Sequence, residues 1–212
     1  MKQLFNHDSP VMQFLDKITD LLILNFFFLL ACIPVVTAGA AKTALCYSVA
    51  HLFHEEGHPI ADFWRTFRAE LKQAFFLFLI AAAGDALLIT VILYYLRQQG
   101  SLAFVLLVVC AIAALVFLLA QSWFFRLQAR FRNTVGGTVR NSFLIALSRP
   151  LRSALLALGD LLPALLLLLF PEVLPYLLLA FVLLWFSSVE SLLFRVAESV
   201  LLPLVSESET AS

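Results

Sequence analysis

From Leu102 to Phe125 the chain runs for 24 residues without one charged side chain. A helix needs roughly 20 apolar residues to cross about 30 Å of hydrocarbon, so this run by itself points to a membrane span. The rest of the chain repeats the pattern in blocks. Of all residues 62% are apolar and 13% are charged, against roughly 25% charged in an ordinary soluble domain. A single soluble core of this size could not hide so much apolar surface.

Four further blocks have spanning length. The first runs over about 18–37, with Leu21 to Ala41 uncharged behind Asp16, Lys17 and Asp20. The others are 73–96, interrupted by Asp85, then 153–170 with Asp160, and 173–194 with Glu190, the last two joined through Pro171-Glu172. Pro34 has no N–H to continue a helix, and Thr37-Ala38-Gly39 reads as a turn. A short helical pattern resumes over 40–54, with Leu45, Val49, Leu52 and Phe53 at helical spacing and Lys42 and His51 inside it. It is short for a crossing, and the small residues Ala38 to Ala41 suit close packing against the first span. The expected architecture is all-α: a polytopic transmembrane helix bundle forming one domain over 1–212, with five spans and a short sixth membrane-embedded helix. The opening residues are not read as a signal peptide, because the apolar run is too long and Asp8, Asp16 and Asp20 precede it. Cys32, Cys46 and Cys110 are odd in number and lie in or beside apolar runs, so they read as packing residues.

Lysine and arginine set the orientation. Residues 42–72 carry Lys42, Arg65, Arg68 and Lys72, and 126–152 carry six arginines and no acid, whereas 97–101 and 171–174 share only Arg97. The positive-inside rule places both long loops and the carboxyl terminus in the cytoplasm of a cell whose plasma membrane holds the chain.

Polar groups inside the spans are the candidate site: Asp85, Asp160 and Asn25. An ionised carboxylate at mid-bilayer costs several kcal/mol, so such residues face the bundle interior and often mark an ion or proton path. For Asp85 the structural alternative is a protonated carboxyl bonded to a neighbouring helix. Asp160 precedes Pro163, which frees a carbonyl and can open a polar pocket. Glu190 reads as a snorkelling or capping group near the cytoplasmic end, and Gln121 as an interhelical hydrogen-bonder. Arg126, Arg130, Arg132 and Arg140, with interleaved aromatics, are expected to contact anionic lipid headgroups or a protein partner. Nucleic acid would use the same residue types, but adjacency to the spans disfavours it. His51, His54 and His58 with Glu55 could be spaced as ligands, yet Gly57 and Pro59 break the helix there, and a solvated loop is the simpler reading. No P-loop, G-x-S-x-G or H-E-x-x-H motif occurs, and Gly136-Gly137 reads as a turn or helix break. Neither a reaction nor a cofactor or metal is indicated.

Several stretches are more specific: Leu4-Phe5-Asn6 to Pro10, Pro34 through Leu45, Glu55-Glu56-Gly57 followed by Asp62-Phe63, and Ala129 to Thr134. Through them nearly the whole chain resembles the YesL-like family of bacterial integral membrane proteins of unknown function. The histidines are not part of that pattern. The resemblance implies a bacterial plasma-membrane protein tied to carbohydrate transport or its regulation, with sugar ABC transporter components as partners, because such proteins are often encoded beside them. It brings no catalytic residues. The alternative is a non-transporting scaffold or regulator that docks a cytoplasmic partner on the basic loops.

Overall fold

The computed structural model describes residues 10–54, 58–98, 100–131, 133–169 and 186–210. Among them every regular element is helical: α1 Pro10–Ala31, α2 Ala38–Phe53, α3 Pro59–Leu96, α4 Ser101–Arg130, α5 Val135–Ser148, α6 Pro150–Leu169 and α7 Phe186–Thr210.

Pro34 ends the first helix earlier than the expected 18–37 span. The chain turns at Cys32 to Pro34 and makes one 3₁₀ turn at Val35–Thr37. The Thr37 hydroxyl donates to the Ala31 and Pro34 carbonyls at 2.6 and 2.7 Å, satisfying acceptors that the broken helix leaves open. Gly39 is not in a turn; it lies in the first turn of α2. Gly136 and Gly137 likewise do not break a helix but begin α5, where the Thr134 hydroxyl caps the Gly137 N–H at 3.3 Å.

Two described helices are long and apolar enough to cross a bilayer, α3 and α4. A third candidate exists if Val135–Ser148 and Pro150–Leu162, bent by 114°, are taken as one. The five spans and short sixth helix expected from the sequence are therefore reproduced only in part. The 73–96 and 102–125 blocks fall within α3 and α4, whereas α1 carries Asp16, Lys17 and Asp20, and α2 has 16 residues. The 173–194 block lies largely outside the described residues. At 1.5 Å per residue, α3 extends about 57 Å and α4 about 45 Å, more than a bilayer core requires. Their shared turn, with Gly100 at φ 130°, joins the apolar halves, while Arg65, Arg68 and Lys72 lie near the opposite end of α3.

The short helix α2 is the hub, touching α1, α3, α4 and α7. One face (Ala41, Ala44, Leu45, Val49, Leu52) packs with Leu24 and Phe28 of α1 and Phe63 of α3. A second core joins Leu77 of α3, Trp123, Phe124 and Leu127 of α4, Ile145 of α5, Leu156 of α6 and Val200 of α7. Polar ties link the helices of this second core. Trp123 donates to the Ser153 hydroxyl at 2.8 Å, and buried Gln128 donates to Glu70 at 2.6 Å while accepting from Thr138 at 3.1 Å.

The small residues of α2 do make a close approach, but at Gly39 it is to α3 and α4 and not to the first span as expected. A Cβ there would meet the Ala74 carbonyl oxygen at 2.6 Å and Phe78 and Phe125 at 3.0 Å. Gly39→Ala should cost about 1–3 kcal/mol through overpacking, lowering the thermal midpoint of the detergent-solubilised protein. Gly136→Ala, with nothing within 4 Å, should leave it unchanged or raise it. Equal midpoints for the two variants would refute this packing.

Candidate functional site

The opposite face of α2 carries Lys42, Cys46 and Ala50 at helical i, i+4, i+8 spacing. On α4 the matching stripe is Ser122, Arg126 and Arg130, and on α7 it is Glu190, Phe194 and Glu198. α6 adds Asp160. These stripes meet and place four charges together.

Arg126 is the centre, its side chain 3% exposed. Its Nε donates to Glu190 Oε1 at 2.8 Å, and Nη2 donates to Glu190 Oε2 at 2.8 Å. Nη1 donates to Asp160 Oδ2 at 2.8 Å, and Nη2 also to Asp160 Oδ1 at 3.1 Å. The remaining Nη1 hydrogen goes to the Ser122 carbonyl. One guanidinium thus forks to two carboxylates, using all of its donors. Lys42 Nζ donates to Asp160 Oδ1 at 2.8 Å and to Glu190 Oε2 at 3.2 Å. The Cys46 thiol donates to Glu190 Oε1 at 3.3 Å. Two cations face two carboxylates, so the quartet is neutral, the condition under which ionised groups can be held away from water.

Two cavities flank it. One, of about 230 Å³, is lined by Cys46, Tyr47, His51, Arg126, Arg130, Glu190, Phe194 and Glu198 among others. The second, of about 270 Å³, is lined by Phe28, Lys42, Gln121, Ser122, Phe125, Asp160 and Phe186 among others. Their order is the same on three helices. Along α2 the second cavity meets residue 42 and the first 46–51; along α4 they meet 118–125 and 126–130; along α7, 186 and 190–201. The first cavity therefore lies toward the basic ends of α3 and α4, which are helical and not the loops expected from the sequence, and the second toward the apolar half of α4. A further cavity of about 290 Å³ shares Tyr47, Ala129 and Arg130 with the first and adds Arg65, Glu70 and Gln128.

The sequence candidates are distributed unevenly over this geometry. Asp160 is in the quartet. Asp85 is not: it accepts from Gln121 Nε2 at 3.0 Å across α3 and α4, and only Gln121 lines a cavity. Asn25 is fully buried and accepts from the Phe186 and Ser187 N–H groups at 3.1 and 3.3 Å, tying α1 to α7. Arg126, expected as a lipid or partner contact, is turned inward, because α4 continues past Phe125 to Arg130 instead of ending in a loop. Arg130 is partly buried, 3.9 Å from Glu198. Arg140 is exposed on α5, and Arg132 lies outside the described residues. Glu190 does not snorkel. His51 Nδ1 lies 3.3 Å from Asp62 and His54 Nε2 lies 2.7 Å from Glu198, neither contact having hydrogen-bond geometry. Among the described residues no three His, Cys, Asp or Glu could hold a metal ion.

Lys42, Arg126 and Glu190 were legible only as a set. Lys42 stands inside an apolar helical pattern, and two cations and two acids bordering apolar runs is the signal of a neutral buried network.

A family model described as "Protein of unknown function, DUF624" matches residues 21–95. Over that stretch the chain is similar to DUF624. The match is consistent with the YesL-like resemblance and runs from α1 through most of α3, taking in Lys42, Cys46 and Asp85 but not Arg126, Asp160 or Glu190. No curated protein and no solved structure matches the chain.

Removing one partner of a buried ion pair typically costs about 3–5 kcal/mol, because the other charge is stranded. Arg126→Met leaves two carboxylates to one ammonium and should sharply lower the thermal midpoint in detergent. Adding Glu190→Gln restores one cation to one acid and should recover part of that loss. A double variant no more stable than Arg126→Met would contradict the neutrality argument.

Proposed function

We propose that this chain is an integral membrane protein that handles a small polar solute, in association with carbohydrate transport. The observation that carries this reading is the neutral quartet standing between two cavities that follow one another along α2, α4 and α7. Two apolar helices of spanning length support the membrane location. The lining supports the solute class. The charges at the first cavity already lie near opposite ones, Arg126 hydrogen-bonded to Glu190 and Arg130 3.9 Å from Glu198, which also has His54 at 2.7 Å. A charged ligand would arrive without a counter-charge, whereas a neutral polyhydroxylated one can use spare acceptors and donors and lay its apolar face on Tyr47 or Phe194. The volume is below the roughly 300–1,000 Å³ of drug-sized sites, which suits a single sugar ring. The basic ends of α3 and α4 favour placing the first cavity on the cytoplasmic side, with the carboxyl terminus there too. Components of a sugar ABC transporter are the proposed partners.

Purified protein in liposomes tests this directly. Radiolabelled monosaccharide should enter faster than in empty vesicles, and Glu198→Gln, which unbalances the first cavity without touching the quartet, should slow entry. Uptake equal to that of empty vesicles for a panel of neutral sugars would reject the carrier reading.

A second reading, a scaffold that docks a cytoplasmic protein, is favoured by exposed Arg65, Arg68 and Arg140 at the basic end. Replacing these three by Lys keeps charge but removes the planar bidentate donors suited to protein carboxylates. A docked partner should then fail to co-purify from native membranes, while lipid attraction should persist. Equal partner recovery from wild type and the Lys variant would argue against docking through these arginines.

A further inference from the structure

The two cations of the quartet are held very differently. Arg126 spends every donor, lies 3% exposed and touches only the first cavity. Lys42 spends two of three N–H groups on the carboxylates, has a side chain 20% exposed and lines the second cavity with Asp160, itself 27% exposed. Lys42 carries its charge on a flexible four-carbon stem, whereas Arg126 presents a rigid fork. If the Lys42 ammonium leaves, Asp160 and Glu190 each keep a forked pair to Arg126. If Arg126 leaves, neither does.

The second cavity also offers Lys42 somewhere to go. Gln121 lines it, and the Gln121 side-chain carbonyl is buried without a hydrogen-bond partner, its amide being used on Asp85. A buried acceptor left unpaired costs about 1–3 kcal/mol, and an ammonium with a donor to spare would relieve it. The Asp85 carboxylate behind Gln121 favours a positive charge there as well.

We propose that Lys42 is the gating residue of this protein: it swings from Asp160 and Glu190 to the Gln121 carbonyl, joining the two cavities, while Arg126 stays fixed and holds α4, α6 and α7 together. The proposal rests on the reading of the cavities as one route, and it names the group that opens and shuts it.

Sided thiol labelling tests the gate without a transported solute. In full-length protein with Cys32→Ala, Cys46→Ser and Cys110→Ala, Ala129→Cys places a thiol at the first cavity. A membrane-impermeant maleimide is applied to inside-out and right-side-out vesicles. With Lys42 present, labelling should come from the basic side alone. Lys42→Met removes the ammonium, and labelling from the opposite side should rise roughly tenfold or more, since an open minor state is usually only about 0.1–10% populated. Labelling from the basic side at an unchanged rate reports that the variant is folded. Gln121→Leu, which removes the alternative acceptor, should reduce liposome uptake several-fold with basic-side labelling intact. Unchanged opposite-side labelling in a folded Lys42→Met protein overturns the gate, and sugar uptake in the same preparation would leave the route standing without it. Opened labelling with no sugar uptake supports the gate and removes the sugar as its cargo.

Discussion

One guanidinium bonded to two carboxylates organises this molecule. Arg126 connects α4 to α6 through Asp160 and to α7 through Glu190, and Lys42 brings in α2. Apolar packing between membrane helices is poorly specific, because lipid tails are as apolar as leucine. Leucine-rich α6 and the apolar half of α4 could slide or rotate at small cost. A forked ion pair cannot: a rotation of either helix by one residue strands a buried charge. The quartet therefore supplies the register that the leucines do not.

Much of this was legible in sequence, and the reasons are particular. The 73–96 and 102–125 blocks carry no charge apart from Asp85, so length alone identified them. Pro34 was legible because it lacks an N–H, whereas the small residues after it signal a close approach without naming its partner, which at Gly39 is α3 and α4 and not the first span. Local charge is a poor marker of a helix boundary in this chain. Arg126 follows an uncharged run and reads as the first loop residue, yet helical hydrogen bonding carries on to Arg130. Glu190 sits among serines and reads as a snorkelling or capping group, yet it is 3% exposed. The pairing that decides both cases spans sequence separations of 34 to 148 residues, beyond what any window can see.

Asn25 illustrates a different limit. An amide in an apolar span suggests a bond between helices, and that is what it makes, accepting from the backbone N–H groups of Phe186 and Ser187. The Ser187 hydroxyl returns a bond to the Leu21 carbonyl at 2.7 Å. Together they fix the rotation of α7 three residues before Glu190, so α1, which carries no member of the quartet, still determines where one of its charges points.

The chain order of the four charges has a consequence for biogenesis. Lys42, Arg126 and Asp160 are all synthesised before Glu190. Until α7 arrives, the partly assembled bundle holds two cations against one carboxylate, an imbalance that a buried, water-poor interior penalises. The earlier helices are thus kept from settling on a closed arrangement of their own, and the carboxyl-terminal helix acts as the neutralising closure of a process that begins at residue 42.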